Sequence, residues 1–174
     1  MINSEPKVLF TQEQVAAKVK ELAAQLNKDY QGHSILLLGA LTGSVIFLSD
    51  LARELTVDVQ IDFIKVSSYG DSMESSRQIR EEYIPEWDLS GRHVIIVEDI
   101  VDTGHTAAYL RQLLADKNTA SVVMCTLLDK PERREVQNLE CEYVGFTIPN
   151  KFVVGYGLDF NQKFRQLPYI GVIE

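Results

Sequence analysis

Apolar residues recur along the chain at two spacings, helical and strand-like, and the two alternate in order. Thr11 followed by Gln14 has the pattern of a helix capping box, and apolar residues at helical spacing after it predict a first helix that ends near Lys28-Asp29. Continuous apolar runs predict buried strands of a parallel sheet at 34–38, 94–97 and 120–128. Helical patterns follow the first two runs at 45–55 and 104–115. Strands that alternate with helices predict one α/β domain with right-handed crossovers.

The remaining segments predict further strands and one long polar loop. Residues 58–66 alternate polar and apolar side chains, which is typical of a half-buried strand. Residues 67–80 are polar and lack periodicity, and a loop of this length is usually disordered or a functional lid. Tyr69 within it could cover a site or lie at the exposed tip of a β-ribbon. Later strands are predicted at 81–84, 143–148, 152–157 and 169–173, the last of which we expect to close the sheet.

Composition narrows the possible functions of this chain. It has 174 residues, 45% of them hydrophobic, which is enough for one domain with a substantial core. A formal net charge of −8 argues against a nucleic-acid binder, which needs a basic face to neutralise phosphates. Cys125 and Cys141 are too few for a disulfide framework or a zinc site, and Cys125 lies in an apolar run. No signal peptide and no membrane-spanning run is recognised, so we expect a soluble cytoplasmic protein without a membrane partner.

The candidate chemistry is concentrated at the end of the strand at 94–97. Glu98 and Asp99 follow that strand, and the small polar residues 102–106 then open onto the predicted helix. A strand, a polar loop and a helix N-terminus together direct main-chain N–H groups at a phosphate, just beyond the carboxyl ends of the strands. With Asp102, this stretch carries three carboxylates, which fit a phosphate site only if a divalent metal or sugar hydroxyls are also bound.

Two other strand ends carry possible site residues. Residues 39–44 form a small-residue loop between a strand and a helix, which is either an ordinary connection or a second phosphate cradle facing the first. Lys130 follows directly after an interior strand, where a solvated surface charge is badly placed, and it is therefore a functional candidate. The next residues, 132–135, are predicted to be a charged surface stretch.

These stretches resemble a known family. The motif VIIVEDIVDTGHT at 94–106 resembles the phosphoribosyl-pyrophosphate signature of the type I phosphoribosyltransferases, in the form found in hypoxanthine-guanine phosphoribosyltransferases. The resemblance extends from about Leu36 to Val172 and includes DFIKVSSYG, LLDK and KFVVGYGLDF. It implies a single α/β domain over 1–174, with a central parallel sheet flanked by helices, a small hood built from terminal segments and a flexible lid at about 67–80. It also implies transfer of a phosphoribosyl group to a free 6-oxopurine such as hypoxanthine or guanine, with release of pyrophosphate.

The resemblance implies how phosphoribosyl pyrophosphate and a metal are held. The 5′-phosphate would bind the main chain and hydroxyl groups of the turn made of Asp102, Thr103, Gly104, His105 and Thr106. Glu98 and Asp99 would orient the ribose hydroxyls, directly or through a metal-bound water. Mg²⁺ suits this role because it takes hard oxygen ligands, and Asp159 resembles a second metal contact on the pyrophosphate side.

The resemblance also implies roles around the purine. Asp102 is the candidate general base for the imidazole proton of the purine. Lys130 would select a 6-oxo group, because a lysine can donate hydrogen bonds and cannot accept one from a 6-amino group. Phe152 would stack on the base and Val153 would meet its edge through the main chain. The last implied contacts are Arg165 with pyrophosphate and a lid over the site at Ser68 and Tyr69.

Two positions depart from the family pattern. The loop at Leu41, Thr42 and Gly43 usually carries Lys or Arg where this chain has Thr42, so we expect weaker pyrophosphate binding at this loop but not loss of the site. The resemblance implies that the main chain makes this contact around a non-proline cis peptide between Leu41 and Thr42. His105 stands where Lys or Asn is common, and the change is read as neutral. A homodimer or homotetramer is implied by analogy with the family.

Three alternatives remain beside the hypoxanthine enzyme. A xanthine-guanine phosphoribosyltransferase differs in contacts to the purine 2-position, which this sequence does not reveal. A regulatory RNA-binding protein on the same scaffold needs a basic surface, which the acidic composition opposes. A phosphoacceptor receiver domain also places acids at strand ends beside a lysine, but it does not account for the long polar loop or KFVVGYGLDF.

Overall fold

A computed structural model describes residues 5–69, 78–84, 86 and 88–173 of the chain. In this part, three α-helices lie at Gln12–Asp29 (α1), Val45–Glu54 (α2) and His105–Ala115 (α3). The first strands are Lys7–Phe10 (β1), Ser34–Ala40 (β2), Asp58–Tyr69 (β3) and Gln78–Tyr83 (β4). The later strands are His93–Val101 (β5), Ser121–Asp129 (β6), Tyr143–Thr147 (β7), Val153–Val154 (β8) and Ile170–Val172 (β9). The predicted alternation of strands and helices is confirmed.

A six-stranded sheet in the order β4-β3-β2-β5-β6-β7 forms the centre of the molecule. All neighbours pair in parallel except β3 and β4, which are antiparallel. The chain runs outward from β2 through α2 to β3, and outward in the other direction from β5 through α3 to β6. The strand order therefore reverses between β2 and β5, and their carboxyl ends flank the crevice where ligands of open α/β sheets bind.

Helices cover both faces of this sheet, as its continuous apolar strands require. Helix α1 begins at the predicted capping box, in which the main-chain N–H of Gln14 donates to Thr11 Oγ1 and the N–H of Thr11 donates to Gln14 Oε1. One apolar cluster joins α1 and α2 to one sheet face, and a second joins α3 to the other. Cys125 is fully buried in the first cluster, as predicted for a small hydrophobe.

A small antiparallel sheet of β1, β9 and β8 adjoins the main fold, and we call it the hood sheet. The hydrophobic pattern did not predict β1, which is a short strand with exposed and half-buried residues. The prediction that 169–173 closes the main sheet was wrong, because β9 pairs with β1 and β8 instead. Pairing of β9 with a strand far away in the chain leaves no mark in local periodicity.

The polar stretch 67–80 was predicted to be a loop, but both of its ends lie in strands. Ser67, Ser68 and Tyr69 continue β3 and pair with Arg80, Ile79 and Gln78 of β4. Residues 70–77 lie outside the described part of the chain. Main-chain pairing carried the strands beyond the point where side-chain alternation ends. No helix in the described ranges is long and apolar enough to cross a bilayer.

Candidate active site

The carboxylates after the predicted strand core belong to β5 itself, which continues to Val101. Glu98 is only 6% exposed, and its Oε1 atom has no hydrogen-bond partner within the described structure. Burial, followed by repulsion from Asp99, raises the pKa of Glu98 well above its usual range. A buried carboxylate oxygen without a partner is costly, so this atom is suited to an external cation or hydroxyl group.

Asp99 lies beside the loop that follows β2. A Cβ atom built on Gly43 would lie 1.7 Å from Asp99 Oδ2, so only glycine fits at this contact. Burial raises the pKa of Asp99 to about 6, although main-chain hydrogen bonds and the charge of Arg165 act in the opposite direction. The nearby charge of Asp159 raises it further. The crevice between β2 and β5 thus holds two carboxyl groups whose ionised form is disfavoured until a cation or another ligand binds beside them.

The turn between β5 and α3 is open towards a small cavity of about 190 Å³. The cavity is lined by residues 98–104, Thr106 and Ala107, which include the predicted phosphate turn. Gly104 has a φ of 91°, and its carbonyl accepts the main-chain N–H of Ala108 at 2.9 Å, so it forms the N-cap of α3. A helix N-terminus at one wall of a cavity with polar walls is a suitable place for an anion.

Asp102 of this turn is paired with two cations. Arg133 Nε donates to Asp102 Oδ1 at 3.0 Å, and Lys130 Nζ lies 3.8 Å from Oδ2. Lys130 is 6% exposed, and burial lowers its pKa, while the charge of Asp102 raises it and that of Arg133 lowers it. Lys130 therefore lies at the site beside Asp102, where the buried end of β6 places it.

Residues 132–135 were predicted to be a charged surface stretch, and for Arg134 this was wrong. The Arg134 side chain is 16% exposed, pairs with Asp129 and donates to the carbonyl of Asp102 at 3.4 Å. The N–H of Glu135 donates to the carbonyl of Thr103 at 2.9 Å. This segment therefore braces the phosphate turn. Sequence reasoning missed Arg133 and Arg134 because a run of charges usually indicates a solvated surface.

The loop after β2 contacts the connection between β8 and β9. The peptide bond between Leu41 and Thr42 is cis, as predicted, and the Ser44 hydroxyl donates to the carbonyl of Ala40 at 2.7 Å. A Cβ atom built on Gly157 would lie 2.0 Å from the carbonyl oxygen of Gly43. The two loops are therefore in direct main-chain contact.

Arg165 ties this contact to Asp159. Arg165 Nη1 donates to the carbonyl of Gly157 at 2.6 Å, and Nη2 lies 2.8 Å from Asp159 Oδ1. Since the charges of Arg165 and Asp159 both act on Asp99, these predicted pyrophosphate and metal residues lie near the carboxylates of β5.

The residues predicted to contact the purine differ in solvent exposure, and those predicted for the lid lie at the end of β3. Phe152 is 51% exposed, and its ring meets that of Phe160 edge to face with centroids 5.6 Å apart. Val153 is buried in the hood sheet. Ser68 and Tyr69 lie at the end of β3, and their side chains fall outside the described structure. A half-exposed aromatic face is free to stack on a planar ligand.

Comparison with known proteins decides the family. A model of the phosphoribosyl transferase domain matches residues 7–161 of the chain. The chain belongs to the phosphoribosyl transferase domain family. The hypoxanthine-guanine phosphoribosyltransferase of Streptococcus pneumoniae strain R6 is 45% identical over 172 residues, covering 99% of this chain and 95% of that protein. The hypoxanthine phosphoribosyltransferase of Escherichia coli K12 is 42% identical over 169 residues, covering 96% and 94%.

Solved structures of phosphoribosyltransferases have the same fold. A crystal structure of a hypoxanthine-guanine phosphoribosyltransferase from Bacillus anthracis has a TM-score of 0.92 and 43% identity, and the match covers 98% of this chain and 100% of that one. A hypoxanthine phosphoribosyltransferase from Staphylococcus aureus has a TM-score of 0.93 and 41% identity, covering 100% and 97%. The predicted fold class and family are confirmed.

The carboxylates of this phosphoribosyltransferase do not form a metal cage by themselves. Among the described residues, no group of three or more His, Cys, Asp or Glu side chains is arranged to hold an ion. A larger cavity, about 540 Å³ in volume, lies between α1, α2 and the connection to β9, and none of the predicted site residues lines it. The chemistry of this phosphoribosyltransferase is therefore concentrated at the smaller, acidic crevice.

Proposed function

We propose that this protein transfers the 5-phosphoribosyl group of phosphoribosyl pyrophosphate to hypoxanthine, and also to guanine, giving the nucleoside monophosphate and pyrophosphate. The observation that carries the proposal is the likeness, over nearly the full length, to relatives named hypoxanthine and hypoxanthine-guanine phosphoribosyltransferases. The acidic crevice between β2 and β5 supports it independently, because it combines a helix N-terminus with a buried carboxylate oxygen, Oε1 of Glu98, that lacks a partner among the described residues.

The phosphate end of the substrate binds at the turn before α3. Main-chain N–H groups from Thr103 to Thr106 and the positive end of the helix dipole favour an anion there. Gly104 packs closely against Arg134 and Leu139, where a Cβ atom would clash, and the hydroxyl groups of Thr103 and Thr106 add donors at the wall of the cavity. The side chain of His105 is directed to Glu135, with Nε2 2.8 Å from Oε2, so its main chain remains for phosphate binding.

Mg²⁺ is the cofactor we propose, held by Glu98, Asp99 and Asp159 together with substrate oxygens. The fit rests on the unpartnered Oε1 of buried Glu98 and on the two acids whose charges act on each other, Asp99 and Asp159. Mg²⁺ suits a site with few carboxylates, because it usually binds one or two of them and completes its shell with water and phosphates. Bound there, Mg²⁺ would supply positive charge to offset the negative charge of the departing pyrophosphate.

Asp102 accepts the imidazole proton of the purine in our proposal. Its carboxylate oxygens lie 3.0 Å from Arg133 Nε and 3.8 Å from Lys130 Nζ, and these two contacts hold it in place at the phosphate turn. A carboxylate is an intrinsically weak base, which favours sharing of the proton in the transition state over complete transfer. Carboxylates near the anomeric carbon stabilise its positive charge in the same state.

Lys130 selects the base. Its ammonium group is buried beside Asp102 and has only donors, so a 6-oxo group satisfies it and a 6-amino group leaves it unpaired. Phe152 offers its exposed face for stacking, and the main chain at Val153 meets the edge of the purine. Arg165 contacts the pyrophosphate group, and the main chain of Leu41, Thr42 and Gly43 contacts the same group. The lid over the site extends from the end of β3 at Ser68 and Tyr69.

An assay of pyrophosphate release tests the reaction. The protein is incubated with phosphoribosyl pyrophosphate, Mg²⁺ and hypoxanthine, guanine, xanthine or adenine in turn. Turnover with hypoxanthine and guanine and little with adenine supports the proposal. Preference for xanthine would instead identify a xanthine-guanine enzyme, and no turnover with any base would favour the regulatory alternative. Light scattering in the same buffer tests the proposed homodimer or homotetramer.

A further inference from the structure

Tyr156 is held in an unusual main-chain conformation beside the site. Its φ is 50°, and it stands between Gly155 at 95° and Gly157 at 102°. A left-handed conformation costs a residue with a side chain about 1 to 2 kcal/mol, so a contact of the tyrosine must offset it. The side chain is 6% exposed, and its hydroxyl donates to Asp50 Oδ2 at 2.5 Å.

This hydrogen bond joins the connection after β8 to helix α2. Asp50 lies on α2, whose first residue follows directly on the loop at 41–44. Tyr156 also donates its main-chain N–H to Leu167 at 2.9 Å, and Gly157 donates to Arg165 at 3.0 Å. The segment that carries Tyr156 is therefore bonded both to helix α2 and to residues 165–167, and α2 follows directly after the loop at 41–44.

Direct contacts lead from this bond to the carboxylates. Gly157, next to Tyr156, packs its Cα against the carbonyl of Gly43, and Gly43 packs its Cα against Asp99. The carbonyl of Gly157 accepts from Arg165, which pairs with Asp159. A shift of the 155–157 turn would thus change the positions of Gly43 and Arg165 together.

We propose that Tyr156 and Asp50 are positioning residues, whose hydrogen bond holds the 155–157 turn against the 41–44 loop and so sets the affinity for the pyrophosphate part of phosphoribosyl pyrophosphate. This inference rests on the proposed function. Burial, followed by the hydrogen bond to Asp50, raises the pKa of the Tyr156 phenol above its usual range, so the hydroxyl stays a donor at neutral pH. The described hydrogen bonds and ion pairs of these two residues do not involve Lys130 or Asp102, at the purine end of the site.

Steady-state kinetics of Tyr156→Phe test the pair. Phenylalanine keeps the buried ring and removes the donor, so the KM for phosphoribosyl pyrophosphate should rise several-fold, up to about tenfold if the free energy of this internal hydrogen bond is transmitted to binding. The kcat and the KM for hypoxanthine should change less than about twofold, because the purine contacts are elsewhere. Unchanged KM for phosphoribosyl pyrophosphate, or an equal fall of all parameters, would overturn the proposal.

Variants of Asp50 test the same bond from its other end. Asp50→Asn keeps an oxygen acceptor and should retain most of the affinity, whereas Asp50→Leu should reproduce Tyr156→Phe. Asp50 also pairs with exposed Arg53 one turn along α2, a surface pair that contributes little. The double variant Tyr156→Phe with Asp50→Leu should therefore add little to either single change, because both remove the Tyr156–Asp50 bond. Additive effects would mean that the two residues act separately, and this would contradict the proposal.

Tyr143 supplies a matched control. Its hydroxyl donates to Asp29 Oδ2 at 2.8 Å, which is also a tyrosine–carboxylate bond, but it joins the start of β7 to the end of α1. Tyr143→Phe should lower the melting temperature by a similar amount and leave the KM for phosphoribosyl pyrophosphate unchanged. If both tyrosine variants raised this KM equally, the effect would be general loosening of the fold. An inactive parent protein would refute the proposed function, and an active parent with unaffected variants would refute this inference alone.

Discussion

At the scale of single residues, the site depends on side chains whose charges the fold does not fully balance. Glu98 is buried with an unpartnered oxygen, and Asp99 has a pKa raised to about 6 by burial. Asp102 forms ion pairs with Arg133 and Lys130, and Lys130 is buried with a lowered pKa. Groups with perturbed pKa values cluster at functional sites, because a bound ligand supplies the hydrogen bonds and opposite charges that the surrounding side chains do not.

Asp102→Asn should reduce turnover on the order of a hundredfold, the usual contribution of a proton acceptor. The amide keeps the size of the side chain but cannot share the purine proton. Binding of phosphoribosyl pyrophosphate should change little, because main-chain groups of the turn hold its phosphate. Turnover is measured by pyrophosphate release and binding by titration calorimetry. Wild-type kcat in this variant would remove Asp102 from the chemistry.

Lys130→Met should lower the preference for hypoxanthine over adenine about tenfold or more, since the buried donor that rewards a 6-oxo group is lost. The ratio of kcat/KM for the two bases measures the effect. An unchanged ratio would show that selectivity resides elsewhere.

Stability gives Lys130→Met an internal control. Burial is the main cause of the lowered pKa of Lys130, so the folded state disfavours its charge. This cost is complete at pH values below the folded pKa and fades as pH rises through it. Removing the charge should therefore not lower the free energy of unfolding at pH 7, as urea denaturation would measure. A large loss of stability would mean that the pairing with Asp102 outweighs burial.

At the scale of elements, close main-chain contacts position the loops around the crevice. The crevice is formed where the ends of β2 and β5 meet the β8–β9 connection. Glycine is required at two contacts there, Gly43 against Asp99 and Gly157 against the carbonyl of Gly43. The helices contribute differently. Helix α3 offers its N-terminus to the phosphate turn, whereas α1 packs with α2 on the other face of the main sheet and carries none of the predicted site residues.

Gly157→Ala should raise the KM for phosphoribosyl pyrophosphate strongly, because the new Cβ would lie 2.0 Å from the carbonyl oxygen of Gly43. Gly32→Ala is the matched control. Gly32 also has a left-handed φ, of 80°, but no atom lies within 4 Å of a Cβ built there. Both variants should lose about 1 to 2 kcal/mol of stability from the main-chain conformation. If Gly32→Ala raised the KM equally, strain alone would explain the effect.

Thr11→Ala should lower the free energy of unfolding by about 1 kcal/mol through loss of the α1 cap. The Thr11 hydroxyl accepts the N–H of Gln14, and the alanine leaves that donor to water. Gln12→Ala, in the same exposed first turn, should stay within about 0.5 kcal/mol of the parent. Urea denaturation measures both, and activity at saturating substrate should be unaffected. Equal losses in the two variants would mean that the effect is not specific to the capping hydroxyl of Thr11, since alanine has the highest helix propensity.

At the scale of the whole molecule, the sheet brings together residues that are far apart in the chain. The residues of the crevice come from the ends of β2, β5 and β6 and from the segment between β8 and β9. A ligand that bridges these parts must stabilise the folded state, because the unfolded chain has no such site.

Phosphoribosyl pyrophosphate with Mg²⁺ at a hundredfold excess over its Kd should stabilise the fold by about 2.7 kcal/mol, a rise in melting temperature of about 5 to 11 °C. Removal of the metal with EDTA should abolish most of the rise, since the acidic crevice then repels the pyrophosphate. Differential scanning fluorimetry measures the change. An equal rise with and without EDTA would exclude Mg²⁺ as part of the bound complex.

Much of the fold was predictable because the main sheet consists of buried, continuous apolar strands. The strand at 94–97 and the capping box at Thr11 predicted β5 and α1 closely, since burial and capping act on neighbouring residues. The family resemblance implied a hood, but local patterns did not predict strand β1, the pairing of β9 within the hood sheet or the extension of β3 to Tyr69. They depend on main-chain pairing with distant strands, which side-chain patterns do not record.

The sequence by itself determined the alternation of strands and helices, the acidic turn at 98–106 and the lysine at the end of β6, because each depends on residues adjacent in the chain. Only the tertiary structure decided that Arg133 pairs with Asp102, that Gly157 packs on Gly43 and that Tyr156 bonds to Asp50. These contacts join segments separated by tens of residues. Their formation depends on how the sheet and the hood sheet pack, and local periodicity carries no information about that packing.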